Sequence, residues 1–316
     1  MPSLSSRLLR ASLVRALTLL RVGDISPDTA IGDIDIQAYR DRFERLATRA
    51  RFPDRVTITT ENDAPVPGEW VVDRNAEPDR VVLWIHGGAH CMCSPRTHRG
   101  LGYAMSRGGR ARVFVPDYRL APEDPFPAGR DDLVEVYRWL LDDRRIDPAR
   151  LVVGGDSSGG GLALSLLVHL KDLGLPQPAC TVLLSPWVDL TLSMESWQPG
   201  VIDDPWLPAE LGHLPVDAYR GDLPADDPGV SPLFADLKGL PPMLVHVGSD
   251  ELLIDEGKDL VRRAREVGVQ ADVGVFHGMW HVFHAFPGMP EARRALREIG
   301  GFIRRHTSPS EAPASL

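Results

Sequence analysis

Few cysteines, no long apolar run and no excess of positive charge mark this sequence, and each absence excludes a class of protein. The 316-residue chain has only three cysteines, Cys91, Cys93 and Cys180, too few for a disulfide framework or a four-cysteine zinc site. We therefore expect a cytoplasmic protein that needs no metal or other cofactor. The formal net charge of −9 at pH 7 argues against nucleic acid or an anionic membrane as a partner.

The first 21 residues are basic and apolar, but Arg10 and Arg15 interrupt any continuous hydrophobic core of a signal peptide or membrane span. Helical spacing of the apolar residues predicts an amphipathic helix instead. These residues are Leu4, Leu8, Val14, Leu17 and Leu20. Because residues 33–50 show a second such pattern, we interpret residues 1–50 as an N-terminal helical cap segment without stable membrane insertion.

Within residues 51–306, short apolar runs alternate with helical patterns, which is typical of a mostly parallel sheet flanked by helices. Residues 55–62 and 68–74 predict a β-hairpin at the sheet edge. Further strands are predicted at 81–85, 112–116, 151–155, 181–185, 243–247 and 272–276, giving eight in all. The proline-rich stretch 190–241 breaks this rhythm and is expected to be a cap insertion, and residues 307–316 are expected to be a disordered tail.

The sequence GGDSSGGG (154–161) places Ser157 in a glycine-rich turn between a predicted strand and a predicted helix. The small residues Gly155 and Gly159, two positions on either side, permit the sharp turn that exposes a nucleophilic hydroxyl. We expect Asp156 to anchor this turn. Because a serine hydroxyl is a weak nucleophile, the turn also predicts a general base and a carboxylate that orients it.

Asp250 and His281 follow the last two predicted strands, at 243–247 and 272–276. The carboxyl ends of parallel strands meet at one sheet edge, so both side chains are expected near Ser157. The chain order serine, aspartate, histidine is the order of the α/β-hydrolase arrangement. These residues therefore predict a nucleophile, an acid and a base.

Four neighbouring residues compete for the last two roles. Asp255 and Glu256 open a predicted helix, where carboxylates commonly complement the helix dipole and its free N–H groups. We therefore prefer Asp250 as the acid. His277 ends a strand and His284 lies deeper in the next segment, so each is expected to have a plain surface or core role.

The motif His86-Gly87-Gly88-Ala89 directly follows the predicted strand 81–85. Acyl transfer develops negative charge on the former carbonyl oxygen, and small residues let backbone N–H groups point at it. Hydrolases with a G-x-S-x-G turn take oxyanion donors from such a loop, so the motif predicts an oxyanion hole. We expect three polar residues to brace this loop by hydrogen bonds: Tyr118, Arg119 and Glu123.

Taken in order, these motifs resemble those of the bacterial hormone-sensitive-lipase-like family of α/β-hydrolase esterases, over about residues 70–305. The matching segments are HGGAH (86–90), DYRLAPEDPFPA (117–128), GDSSGG (155–160), SPWVDLT (185–191), SDELLIDEG (249–257) and HGMWHVF (277–283). Their details are similar to the branch with acetyl-hydrolase-like and monoterpene-lactone-hydrolase-like members. The resemblance implies an α/β-hydrolase fold with a helical cap.

The resemblance also implies a role for each site residue. Ser157 would be the nucleophile, His281 the base and Asp250 the acid that orients it. The implied oxyanion donors are the backbone N–H groups of Gly88, Ala89 and Ser158, with Gly87 shaping the loop.

Two departures from the family pattern concern the acyl pocket. Ala89 stands where a third glycine is usual, which keeps the N–H but narrows backbone freedom. His90 and Cys93 stand where members often have an aromatic residue and a glycine. We expect catalysis to survive both changes and the shape of the pocket to differ.

These features predict a serine carboxylesterase that hydrolyses short- to medium-chain esters through an acyl-enzyme intermediate. A lactone hydrolase or an amidase is the alternative, because the triad specifies acyl transfer whereas the pocket specifies the leaving group. A non-catalytic ligand-binding homologue is a third hypothesis, although the chain keeps Ser157, Asp250 and His281. The expected partner is a small-molecule ester or lactone. The resemblance also implies a possible homodimer, because relatives often dimerise through a sheet edge.

Overall fold

An eight-stranded sheet runs through the part of the chain that the computed structural model describes, residues 2–10 and 29–308. Its strands are β1 (Val56–Glu61), β2 (Gly68–Asp73), β3 (Glu77–Ile85), β4 (Ala111–Pro116), β5 (Leu151–Asp156), β6 (Cys180–Leu184), β7 (Met243–Gly248) and β8 (Ala271–Phe276). The order across the sheet is β1-β2-β4-β3-β5-β6-β7-β8. Among these strands, β2 runs antiparallel to both of its neighbours, β1 and β4, and every other pairing is parallel, so the predicted fold class is confirmed.

Helices connect and cover these strands. They are α1 (Ile36–Ala47), α2 (Arg99–Gly109), α3 (Ala128–Asp142), α4 (Ser158–Asp172), α5 (His213–Arg220), α6 (Ile254–Glu266) and α7 (Pro290–Thr307). Residues 4–10 are also helical. In the described ranges, no helix combines the length and the apolar character that a bilayer span requires.

The central strands are apolar on both faces because helices cover both sides of the sheet. Every residue of β5 and β6 is buried. In β3, Leu83 and Ile85 belong to the core on one face, and Val82 and Trp84 belong to the core on the other. This two-sided burial is why these strands appear in the sequence as continuous apolar runs rather than alternating ones.

Helix α2 has no counterpart in the sequence-based expectation. It contains glycine at four of its eleven positions, and glycine is a poor helix former. A Cβ built at Gly300 of α7 would lie 2.5 Å from the carbonyl oxygen of Gly108, and one at Gly102 would lie 3.3 Å from Val71. Tertiary packing against β2 and α7 therefore stabilises this helix, and the glycines permit the close approach.

Segments from both ends of the chain and from the proline-rich stretch lie near the carboxyl ends of the parallel strands. The Ser3 backbone N–H donates to Glu291 of α7 at 2.7 Å, and Arg10 contacts the turn after β7. Helix α5 lies within the predicted cap insertion 190–241. Part of the predicted amphipathic helix, with Val14, Leu17 and Leu20, and the tail from residue 309 onward lie outside the described residues.

Candidate active site

Ser157 occupies a sharp turn between β5 and α4. Its backbone has φ 55° and ψ −129°, a strained conformation for a residue with a side chain. A Cβ at Gly155 would lie 2.4 Å from the carbonyl oxygen of Gly159, and one at Gly159 would lie 2.3 Å from that of His86. Both glycines are therefore required by close backbone approach, and the turn presents the serine hydroxyl at the sheet edge.

The loop after β3 lies directly against this turn. A Cβ at Gly87 would lie 3.0 Å from the Ser157 Cβ, and Gly88 and Ala89 have φ of 131° and 54°. In the described part of the chain, the backbone N–H groups of Gly88, Ala89 and Ser158 have no protein acceptor. Three free donors beside a nucleophile are the arrangement that an oxyanion requires.

Side chains from neighbouring segments brace the loop. The Tyr118 hydroxyl donates to the His86 carbonyl oxygen at 2.6 Å, as the sequence predicts. Glu123 contributes indirectly: it pairs with Arg40, and Arg40 donates a hydrogen bond to the Cys91 carbonyl oxygen at 2.8 Å. Arg119 instead pairs with Asp132 of α3, so its predicted contribution to the loop is wrong.

His281 lies in the loop after β8 and is almost fully buried. Burial lowers the pKa of His281 to about 4, against the raising effect of the Asp156 charge. The ring is therefore neutral near pH 7, as a general base must be. Among the described residues, no hydrogen bond joins His281 to Ser157, and His281 Nδ1 has no partner. In many unliganded hydrolases this contact tightens only when substrate binds.

Asp250, the acid expected from sequence, has other partners. Its carboxylate accepts hydrogen bonds from Arg10 at 2.5 Å and from the Ser249 hydroxyl at 2.7 Å. About a third of its side chain is exposed. The structure therefore places Asp250 at the correct sheet edge, in an ion pair with the N-terminal helical segment and without a hydrogen bond to His281.

Glu251, which sequence reasoning overlooked, is fully buried beside this loop. Its Oε2 accepts hydrogen bonds from Ser185 Oγ at 2.8 Å and the Gly248 N–H at 2.9 Å, while Oε1 has no partner among the described residues. Ser185 Oγ in turn accepts the N–H of Val282, the residue after His281, at 3.0 Å. Burial raises the pKa of Glu251 well above its usual range. The sequence signal was its position at the end of a strand, one residue beyond Asp250.

Three of the four rival residues have structural contacts, and the fourth, His277, lies at the surface. Glu256 is buried and accepts backbone N–H groups of the segment after β6, and Asp255 accepts the Ser196 N–H. His284 is buried, with its Nε2 3.4 Å from Nδ1 of His246.

Asp156 does anchor the turn, through two partners. Its Oδ1 accepts Trp84 Nε1–H at 3.1 Å, and its Oδ2 lies 3.2 Å from His98 Nε2. Burial disfavours the charged forms of both Asp156 and His98, but the attraction between the two residues outweighs the effect of burial. The pKa of His98 is therefore raised and that of Asp156 lowered, and this largely buried pair lies next to Ser157.

The three cysteines are free, and burial raises the pKa of each thiol to about 12. Within the residues that the structure describes, no group of three or more histidine, cysteine or carboxylate side chains is arranged to hold a metal ion.

Comparison with known proteins identifies the family of the chain. Residues 82–285 match the family described as alpha/beta hydrolase fold. An acetyl-hydrolase of Streptomyces hygroscopicus is 38% identical over 76% of this chain and 80% of that protein. An esterase of Acinetobacter venetianus is 38% identical over 79% of this chain and 84% of that protein.

A solved structure has the same fold. It is described as an esterase from the bacterial hormone-sensitive lipase family, and it matches with a TM-score of 0.88 and 36% identity over 97% of this chain and 100% of that chain. The chain thus belongs to the hormone-sensitive-lipase-like family of α/β-hydrolase esterases.

Proposed function

We propose that this protein is a serine carboxylesterase that hydrolyses short- to medium-chain esters through an acyl-enzyme. The observation that supports this best is the strained Ser157 turn packed against a loop whose N–H groups are free. All three cysteines are free, and Cys91 and Cys180 are buried, which fits the proposed cytoplasmic location.

In the proposed first step, His281 takes the proton from Ser157 Oγ while Oγ attacks the ester carbonyl carbon. The carbonyl oxygen becomes an oxyanion, which the N–H groups of Gly88, Ala89 and Ser158 stabilise. His281 then gives the proton to the departing alcohol, and an acyl-serine forms. Water, deprotonated by the same histidine, releases the acid and restores Ser157.

We propose Glu251 as the acid that orients His281, in place of the Asp250 expected from sequence. Glu251 Oε1 and His281 Nδ1 are both buried without partners, and the Ser185 hydroxyl links the two loops. Pairing these atoms would satisfy both at once, and an ionised Glu251 would stabilise the imidazolium that forms during the reaction. Asp250 already has a partner in Arg10.

Site-directed variants test the nucleophile. Ser157→Ala should lower kcat for p-nitrophenyl butyrate by at least about 10³-fold, and a phosphonate ester should label Ser157 alone. Ser308→Ala, an exposed serine far along the chain, is the matched control. Retained turnover in Ser157→Ala would contradict the proposal. A parallel series of p-nitrophenyl acetate, butyrate and octanoate with a simple lactone measures the proposed chain-length and ester preference.

The same assay separates the two candidate acids. Glu251→Gln should lower kcat by about 10²- to 10⁴-fold, whereas Asp250→Asn should cost less than about tenfold. Circular dichroism and thermal unfolding verify that each variant folds. If Asp250→Asn is the more damaging change, Asp250 is the acid and the assignment of Glu251 is wrong.

A further inference from the structure

Three rings form a wall beside the nucleophile, which we call the aromatic wall: His90, Trp187 and Tyr219. The His90 ring stacks on Tyr219 of α5, with centroids 3.6 Å apart and planes at 10°, and lies 6.1 Å from the Trp187 ring. The His90 N–H donates to Ser158 Oγ at 3.0 Å, and the Trp187 N–H donates to the Ser157 carbonyl oxygen at 2.9 Å. The wall is therefore tied to the nucleophile turn at two points.

His90 brings unsatisfied polar atoms into this wall. Its side chain is 4% exposed, and neither ring nitrogen has a partner among the described residues. Burial lowers the pKa of His90 to about 3, so the ring is neutral and offers one donor and one acceptor. A buried polar atom without a partner is costly, and a phenylalanine ring would stack here without that cost. The two unpaired ring nitrogens therefore indicate that a ligand supplies a hydrogen-bond partner at this position.

The order of strands indicates which part of a substrate meets His90. The loop with His90 follows β3, which lies on one side of β5 and Ser157, whereas His281 follows β8 on the opposite side. The departing alcohol receives its proton from His281 and so lies on the β8 side. The acyl group then extends toward β3 and the His90 ring.

We propose that His90 makes the enzyme prefer short acyl groups that carry a hydrogen-bonding oxygen, such as a hydroxyl, close to the scissile carbonyl. A ring nitrogen of His90 forms a hydrogen bond with that oxygen, and the stacked Tyr219 ring limits the length of the acyl chain. This inference rests on the proposed function, because it concerns the substrate of the same site. It makes His90 a specificity-determining residue.

The test compares two esters of equal chain length, p-nitrophenyl 3-hydroxybutyrate and p-nitrophenyl butyrate. The wild-type ratio of kcat/KM should favour the hydroxylated ester by about 3- to 10-fold. In His90→Phe, which keeps a ring against Tyr219 but removes both nitrogens, the ratio should fall to about one. His90→Leu is a second apolar variant that should give the same ratio.

Tyr219→Phe tests whether the neighbouring hydroxyl, rather than His90, sets the ratio. The control variant His169→Phe, at a half-buried position of α4, should keep the wild-type ratio. A wild-type ratio near one overturns the inference, as does a ratio that survives both His90 variants or disappears in Tyr219→Phe. If the wild-type enzyme hydrolyses neither ester, the proposed function fails. Turnover of butyrate with a ratio near one overturns only the role of His90.

Discussion

At the scale of single residues, the charge next to Ser157, the proposed nucleophile, influences His281, the proposed base. Asp156 precedes Ser157 in the chain and pairs with His98, 58 residues away in sequence. Its negative charge raises the pKa of His281, which burial lowers. The sequence indicates an anchoring role for Asp156, but neither its histidine partner nor its electrostatic effect can be deduced from spacing alone.

Variants of this pair should move the pH profile in opposite directions. His281 must be neutral to act as a base, so activity falls as pH drops through its pKa. Asp156→Asn removes a negative charge and should move the acid limb of kcat/KM to lower pH. His98→Gln leaves the Asp156 charge without its partner and should move that limb to higher pH.

The measurement is kcat/KM for p-nitrophenyl butyrate from pH 3 to 8, with Asp236→Asn as a control for loss of an exposed carboxylate. Shifts of both variants in the same direction would show that the pair acts only on folding or geometry.

At the scale of elements, helix α6 is joined to the segment after β6 by a buried carboxylate. Glu256 accepts the N–H groups of Val188 and Asp189 at 2.8 and 3.0 Å and Nε1–H of Trp197 at 2.9 Å. The sequence suggests a helix-dipole role for this residue, whereas the structure shows that it binds donors outside its own helix. Only tertiary packing brings those donors together.

Glu256 should make stability depend on pH. Burial raises its pKa from the ordinary 4.5 to about 8, so the folded state holds this proton more tightly than the unfolded state. Its contribution is fully present below about pH 4.5 and is lost as pH rises to about 8, at up to about 1.4 kcal/mol per pH unit.

Urea unfolding at pH 5, 6.5 and 8 tests this sign. The free energy of unfolding of the wild type should fall with pH more steeply than that of Glu256→Gln. Glu135→Gln, which changes an exposed glutamate, should keep the wild-type slope. Equal slopes in all three proteins would show that Glu256 is ionised throughout the range.

At the scale of the whole molecule, the sheet has two edges, at β1 and β8. The carbonyl oxygens of Gln270 and Phe276 accept hydrogen bonds from the β7 side. Because backbone groups alternate along a strand, the N–H groups of Val273 and Val275 face away from the sheet. An unpaired edge of this kind can join a second copy of the chain.

The predicted homodimer is tested by light scattering coupled to size exclusion. The wild type should have about twice the monomer mass of 34.7 kDa. Val273→Pro, which removes an outward N–H, should shift the mass to that of a monomer, and Asp272→Asn should not. A monomeric wild type would contradict the prediction, and a dimer that survives Val273→Pro would place the contact elsewhere.

Much of this protein follows from local sequence. Apolar runs of strand length, alternating with helical periodicity, specify a two-sided parallel sheet because both faces must be buried. The glycines around Ser157 and after His86 specify tight turns, because no side chain fits there. These signals act over a few residues, so sequence alone is enough to predict that Ser157, the loop after β3 and His281 lie at one sheet edge.

What only the tertiary structure decides is which distant groups meet. Asp250 and Glu251 are neighbours in sequence, yet one points to Arg10 and the other into the core beside Ser185. The stacking of His90 on Tyr219 likewise joins the loop after β3 to helix α5. The physical reason is that side-chain direction, burial and hydrogen-bond partners depend on packing between segments far apart in the chain, and composition and spacing do not specify that packing.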